Sequence, residues 1–152
     1  MKKLKIITGE ENPILRAVST EVKTFNSELK SFAKQMKESM IKAKGLGIAA
    51  PQVGKNIRIF IVTLNYGSEN EMMIYMVNPK ILSKSTETEV AEEGCLSLPG
   101  VYGNVERSRI VSVEFYNLDG ARQEMELEGL NARVVQHEND HIDGILFIDK
   151  LK

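Results

Sequence analysis

Apolar residues recur at helical spacing at Leu29, Phe32, Ala33, Met36, Met40 and Ala43. The spacing predicts a helix that opens on an Asn26 or Ser27 cap and runs to about Ala43, where Gly45-Leu46-Gly47 stops it. Arg58 to Leu64 is β-branched and predicts a buried strand, and Met72 to Val77 predicts another, ended by Asn78-Pro79. Between Ile110 and Asn117 the inward face is Val111, Val113 and Phe115; Asp119-Gly120 turns the chain and Gln123 to Leu127 returns as a partner strand. A last helix starts near Gly129, places Leu130, Val134, His137 and His141 on one face, and ends at Gly144. Strands set between a first and a last helix predict an α+β fold with antiparallel sheet. Met36, Met40, Met72, Met73 and Met76 read as core fillers.

Composition narrows the picture. The 152 residues, 42% apolar and 27% charged, suit one domain spanning 1–152. A net charge of -1 speaks against a nucleic-acid or anionic-membrane partner. Met1 to Thr8 begins with lysines, but Leu4, Ile6 and Ile7 are too few for a signal-peptide core, and no stretch approaches a membrane span. A single cysteine, Cys95, excludes an internal disulfide and points to a reducing cytoplasm.

The chemistry lies in His137-Glu138-Asn139-Asp140-His141, which holds the protein's 2 histidines. On a helix the two imidazoles share a face about 6 Å apart and can bind one metal ion, and Glu138 can take a proton from a metal-activated water. The bland reading is an exposed helix with two surface histidines. A hydrolytic metal takes three protein ligands and keeps one position open. Metalloproteases with H-E-x-x-H find the third ligand downstream, as a histidine or a glutamate. Here the histidine position holds Phe147 and no glutamate follows Glu138, so the protease solutions are not expected. Upstream, Cys95 in Glu93-Gly94-Cys95-Leu96-Ser97 is the one soft ligand left, with a small buried hydrophobe as its bland alternative. The segment around it, with Gly94 and Glu92-Glu93, does not read as a core strand. Glu93 and Arg107 are either a pair that orients the Cys95 loop or two solvated charges. Asp140 and Asp143 either reach a histidine ring or point to solvent.

Gly45-Leu46-Gly47-Ile48-Ala49-Ala50-Pro51-Gln52-Val53-Gly54 reads by itself as a tight, closely packed turn rather than a phosphate loop. Three segments in order change its meaning. Gly-Leu-Gly-Ile-Ala-Ala-Pro-Gln, Glu-Gly-Cys-Leu-Ser and Gln-His-Glu-Asn-Asp-His together resemble the peptide deformylases. So do Asn12-Pro13-Ile14-Leu15-Arg16, Val77-Asn78-Pro79 and Leu98-Pro99-Gly100-Val101-Tyr102-Gly103, which carries the resemblance over nearly the whole chain.

That resemblance implies removal of the formyl group from the N-terminal formyl-methionine of newly made proteins. It implies antiparallel β-sheets packed around a C-terminal metal-binding H-E-x-x-H helix, with an N-terminal helix. It implies Fe²⁺, with Zn²⁺, Ni²⁺ or Co²⁺ able to occupy the same site. Cys95, His137 and His141 would be the ligands, and Glu138 the general acid/base. Gln52 and the Leu96 backbone N–H would hold the formyl oxygen, Gly47 would line the substrate backbone, and Leu46, Leu130 and Val134 would form the methionine pocket. A thiolate ligand makes a metal a poorer Lewis acid than a third histidine would, which favours iron over zinc and entails oxygen sensitivity. Formyl-methionyl nascent peptides at the ribosome are the expected partners, and a monomer is expected rather than an oligomer. Asn139 and Ile142 depart from the apolar residue and leucine more usual there, and imply altered packing rather than lost chemistry. Many bacterial members continue into a long basic tail that in some contacts the ribosome; the sequence here has eleven residues after His141. Two other readings stand beside this one: another amide hydrolase on the same scaffold, and a structural metal site, which would need a fourth protein ligand.

Overall fold

In the first long helix, α2 (Ser27–Lys42), the apolar positions wind onto one face, so that Leu29, Ala33, Met36 and Met40 are buried. Asn26 caps it, its side chain accepting from the Leu29 N–H at 3.0 Å. The helix stops at Lys44, which adopts φ 59, and not at the glycines expected to end it. Those glycines serve close approach instead: a Cβ on Gly45 would stand 2.7 Å from Leu96 Cδ1, and one on Gly47 2.7 Å from Glu138 Oε2. This computed structural model describes residues 4–152; Met1–Lys3, at the start of the segment read against a signal peptide, lie outside the described residues. A short helix, α1 (Pro13–Arg16), precedes α2.

A five-stranded antiparallel sheet has the order β1-β2-β3-β6-β7. Its strands are β1 (Gly47–Ala49), β2 (Ile59–Leu64), β3 (Met72–Lys84), β6 (Ile110–Tyr116) and β7 (Arg122–Glu128). Every β2 residue is buried because both faces are covered. Phe60, Val62 and Leu64 face the helix α3 (Leu130–Ile142), and the alternate residues Ile59 and Ile61 pack towards α2. Val111, Val113 and Phe115 point inward on β6 as their alternation predicts. Met36, Met40 and Met76 fill the core, whereas Met72 at the start of β3 is 48% exposed and fills nothing.

β3 does not end at Asn78-Pro79. Its register on β6 shifts between Val77 and Lys80, Asn78 takes φ 48, and pairing resumes beyond. A bulge tolerates a proline that a regular ladder would not. The Asn78 side chain fills in, accepting from the Val22 N–H (2.8 Å) and donating to the Val22 carbonyl (2.9 Å).

The larger difference is a second sheet, a hairpin of β4 (Thr88–Cys95) and β5 (Leu98–Ser108) with Leu96-Ser97 at its tip. Cys95 therefore ends a strand, though an exposed one and not a core strand, in keeping with the reading of its segment. β4 is polar and mostly exposed on the way to Glu93, so it lacks the apolar alternation that marks a strand in sequence. The hairpin packs through Leu98 and Val105 on Leu146 and Phe147. α3 begins after Gly129 and ends towards Gly144 (φ 75), which passes so close to the Arg16 carbonyl that no Cβ fits. Helix α3 thus lies on the large sheet with the hairpin across its remaining side, the cradle that the resemblance implied.

Candidate active site

The helical spacing of α3 brings His137 and His141 to one face, ring centroids 5.0 Å apart. The hairpin tip brings Cys95 to them. Its Sγ lies 3.3 Å from His141 Nε2, and the ligand atoms of Cys95, His137 and His141 all fall within 4.8 Å of one another. This group contains three residues, one thiol and two imidazoles, a borderline-soft set suited to Fe²⁺, Zn²⁺, Ni²⁺ or Co²⁺. Phe147, at the position where one protease group has its third histidine, is buried and stacks on the His137 ring at 6.2 Å.

The surroundings of the rings fit a cation. His137 Nδ1 lies 2.9 Å from Glu93 Oε1. With Nδ1–H donating to that carboxylate, the tautomer is set and Nε2 is left for a metal. Glu138 Oε2 lies 4.0 Å from His137 Nε2, and its other oxygen, Oε1, is buried with no partner among the described residues. A buried carboxyl group with one oxygen left unpaired beside the donor group suits a site that takes up positive charge and a water.

The titration behaviour says the same. Burial works against charge on His137, but hydrogen bonds to Cys95 and Glu93 and the charge of Glu138 prevail and push it up to about 10. Burial, helped by the charges of His137 and Arg107, holds His141 well below its ordinary value. Burial lifts Glu138 from 4.5 to about 7 against the pull of His137. Glu93 is also buried, but hydrogen bonds from His137 and Arg107 overcome that cost and hold it well below the usual carboxylate range. The donor group thus draws in one positive charge, and a bound cation would replace the proton and draw Glu138 down as well.

Gln52 follows β1 in a 3₁₀ turn, Ala50–Val53. Its side-chain oxygen accepts from the Ala49 N–H at 2.9 Å, which fixes the amide orientation and turns Nε2 towards Cys95 Sγ (3.6 Å) and Ser97 Oγ (3.2 Å). Leu96 is the first residue of the hairpin tip, outside the strand ladder. A cavity of about 410 Å³ opens beside these groups; Leu46, Gly47, Gln52, Cys95, Leu96, Leu130, Val134, His137 and Glu138 all line it. Every site residue expected from the sequence except His141 therefore borders one cavity, and His141 lies behind Cys95, 1% exposed. Leu130 is 48% exposed, so it stands at the cavity's rim.

Glu93 and Arg107 are a buried pair, not solvated charges: Arg107 Nε and Nη2 donate to Glu93 at 2.9 and 3.0 Å. Asp140 and Asp143 reach no histidine ring. Asp140 is buried and accepts from Arg107 Nη1 at 2.5 Å, and Asp143 pairs with Arg58 at 2.8 Å. Arg133 and Ser97 escaped the sequence reading. The signal for Arg133 was its place four residues before His137, a charge on the helix face that carries the ligands.

A family model described as polypeptide deformylase matches residues 4–152. A peptide deformylase of Rhizobium meliloti is 41% identical over 91% of this chain and 79% of its own length, and one of Thermotoga neapolitana is 44% identical over 93% and 83%. The crystal structure of peptide deformylase from Thermotoga maritima superimposes with a TM-score of 0.93 at 40% identity, covering 100% of this chain and 99% of that one. The Met-Ala-Ser-bound class I type b peptide deformylase of Acinetobacter baumannii does so at 0.92 and 37%, covering 99% of both chains. Matched by the family model over nearly its whole length and by relatives at 41% and 44% identity, this chain belongs to the peptide deformylase family.

Proposed function

We infer that this chain is a metal-dependent hydrolase that removes the formyl group from the N-terminal formyl-methionine of newly made proteins. The observation that carries the reading is the convergence of Cys95, His137 and His141 on one point, with Glu138 beside it at the wall of the cavity, its buried Oε1 without a hydrogen-bond partner among the described residues. Binding of Met-Ala-Ser by the Acinetobacter relative supports a peptide that begins with methionine as the occupant. Leu46, Val134 and the rim residue Leu130 suit its thioether side chain, and Gly47 leaves room for its backbone.

A divalent cation held by Cys95, His137 and His141 would supply Lewis acidity and lower the pKa of a water at the site. Glu138 orients that water, takes its proton as the oxygen attacks the formyl carbon, and returns the proton to the leaving amine. Negative charge develops on the formyl oxygen, where the Gln52 amide and the Leu96 N–H donate; one such donor is worth about 3 kcal/mol in the transition state. Glu93 keeps the His137 ring turned for ligation.

Fe²⁺ is the proposed native metal, because the thiolate weakens the Lewis acidity that zinc would need. Equal anaerobic rates for Fe²⁺- and Zn²⁺-loaded protein would refute that argument. Residues 1–152 are taken as one catalytic unit, a monomer of a reducing cytoplasm where Cys95 stays a thiol, meeting formyl-methionyl chains at the ribosome. The deciding experiment is formate release from a formyl-Met peptide by anaerobically purified protein beside Glu138→Ala. The parent turns over and the variant loses about 10²-fold or more; no formate from the metal-loaded parent removes the reading.

A further inference from the structure

Two different parts of the fold supply the metal ligands. Cys95 sits on the β4–β5 hairpin and both histidines sit on α3. The hairpin is a sheet of its own, not hydrogen-bonded into the five-stranded one. The distance from sulfur to rings is therefore set by whatever docks hairpin on helix.

One side chain crosses this seam from α3 and touches both strands. Arg133, 8% exposed and one turn before His137, donates from Nη1 to Glu93 Oε2 at 2.6 Å and to the Val105 carbonyl at 3.0 Å, and from Nη2 to the Glu89 carbonyl at 2.8 Å. Glu89 and Glu93 belong to β4 and Val105 to β5. Arg107 answers from β5, donating to Asp140 on α3 and twice to Glu93. Glu93 thus receives two bonds from Arg107, one from Arg133 and one from His137, which uses about all the lone-pair sites of a carboxylate. Two arginines face two carboxylates, and Lys150 also reaches Asp140 at 3.3 Å, so each charge in the seam has an opposite partner. As a source of stability alone such a cluster is poor, since apolar packing of equal volume does as well or better. What it supplies is register: a planar guanidinium bridging three acceptors allows one relative placement of its partners.

We propose that Arg133 is a positioning residue that locks the β4–β5 hairpin onto α3 and, through Glu93, holds Cys95 and the His137 ring in register for a single cation. The proposal rests on the metal-hydrolase reading for its purpose but not for its geometry, so two measurements separate them. The first is amide hydrogen exchange on metal-free Arg133→Met, which keeps the apolar stem beside the cavity and removes the fork. Residues 88–108 lose protection while β2, β3 and α2 keep theirs, because Leu98 and Val105 still pack on Leu146 and Phe147. The second is release of Zn²⁺ from loaded protein to a chromogenic chelator. Arg133→Met releases it about 10- to 100-fold faster than the parent, and Arg133→Lys, with a charge but no fork, falls between. In a Glu93→Gln background Arg133→Met adds little, as expected when one residue acts through the other. Unchanged hairpin exchange, a loss of protection spread evenly over the fold, or fully additive effects with Glu93→Gln would each overturn the proposal. Should Arg133→Met not fold, the same comparisons on Arg133→Lys decide it. Parental exchange with no Zn²⁺ bound in any form would sink the metal reading together with the proposal, whereas loosened exchange with no Zn²⁺ bound would sink the metal reading alone.

Discussion

Gly47 lies directly against Glu138: a methyl group on its Cα would stand 2.7 Å from Glu138 Oε2 and 3.0 Å from Cδ. The carboxylate is buried in α3 and cannot retreat without losing its place beside His137. Gly47→Ala is therefore expected to shift Glu138 by a few tenths of an ångström or more and to lower kcat by about 10- to 100-fold, as misplaced catalytic groups do. Zn²⁺ content should stay at the parental level, because no ligand moves. Parental kcat in the variant would mean that the close approach has no bearing on the chemistry.

Glu138 also makes the metal-free fold sensitive to pH. Burial raises its carboxyl from 4.5 to about 7, so the folded chain holds this proton more tightly than the unfolded one. Its contribution is intact below pH 4.5 and is lost as pH rises through about 7. Glu138→Gln removes that loss. From about pH 5 to about pH 8, the variant should gain on the parent by about 3 kcal/mol. Urea unfolding in the presence of a chelator measures it, and parallel pH curves would show that the carboxylate is not desolvated.

Removing the sulfur should uncouple metal from stability. Zn²⁺ at about 100 times its Kd adds about 3 kcal/mol to a protein that binds it only when folded. Thermal unfolding of the parent should therefore rise with added Zn²⁺, and that of Cys95→Ser should rise far less, since only the two rings on α3 remain from the original group. An equal rise in both would place the cation elsewhere.

Gln52→Ala separates two duties of one side chain. Loss of its Nε2 donor is expected to lower kcat about 100-fold through the formyl oxygen. Loss of its Oε1 acceptor leaves the Ala49 N–H unpaired at a buried position and costs about 1–3 kcal/mol of stability. Steady-state kinetics and denaturant unfolding read the two effects independently, and a variant that loses stability but keeps its rate would take Gln52 out of the chemistry.

Local pattern determined much of this protein. The periodicity of Leu29, Ala33, Met36 and Met40 foretold α2, and the alternation of Val111, Val113 and Phe115 foretold the inward face of β6, because burial of an apolar stripe is a nearest-neighbour property of the chain. The spacing of His137 and His141 put both rings on one helix face before any fold was known. Tertiary structure decided the rest. The β4–β5 hairpin was invisible because its stability comes from distant partners, Leu146, Phe147 and Arg133, rather than from alternation along β4. For the same reason β3 runs past Pro79, with Asn78 bonded to Val22 across 56 residues of chain. The buried charges of Glu93, Arg107, Arg133 and Asp140 look like ordinary surface residues in a string of letters. Only folding, by removing water from all of them at once, makes their mutual pairing obligatory and so sets where Cys95 stands against the two rings.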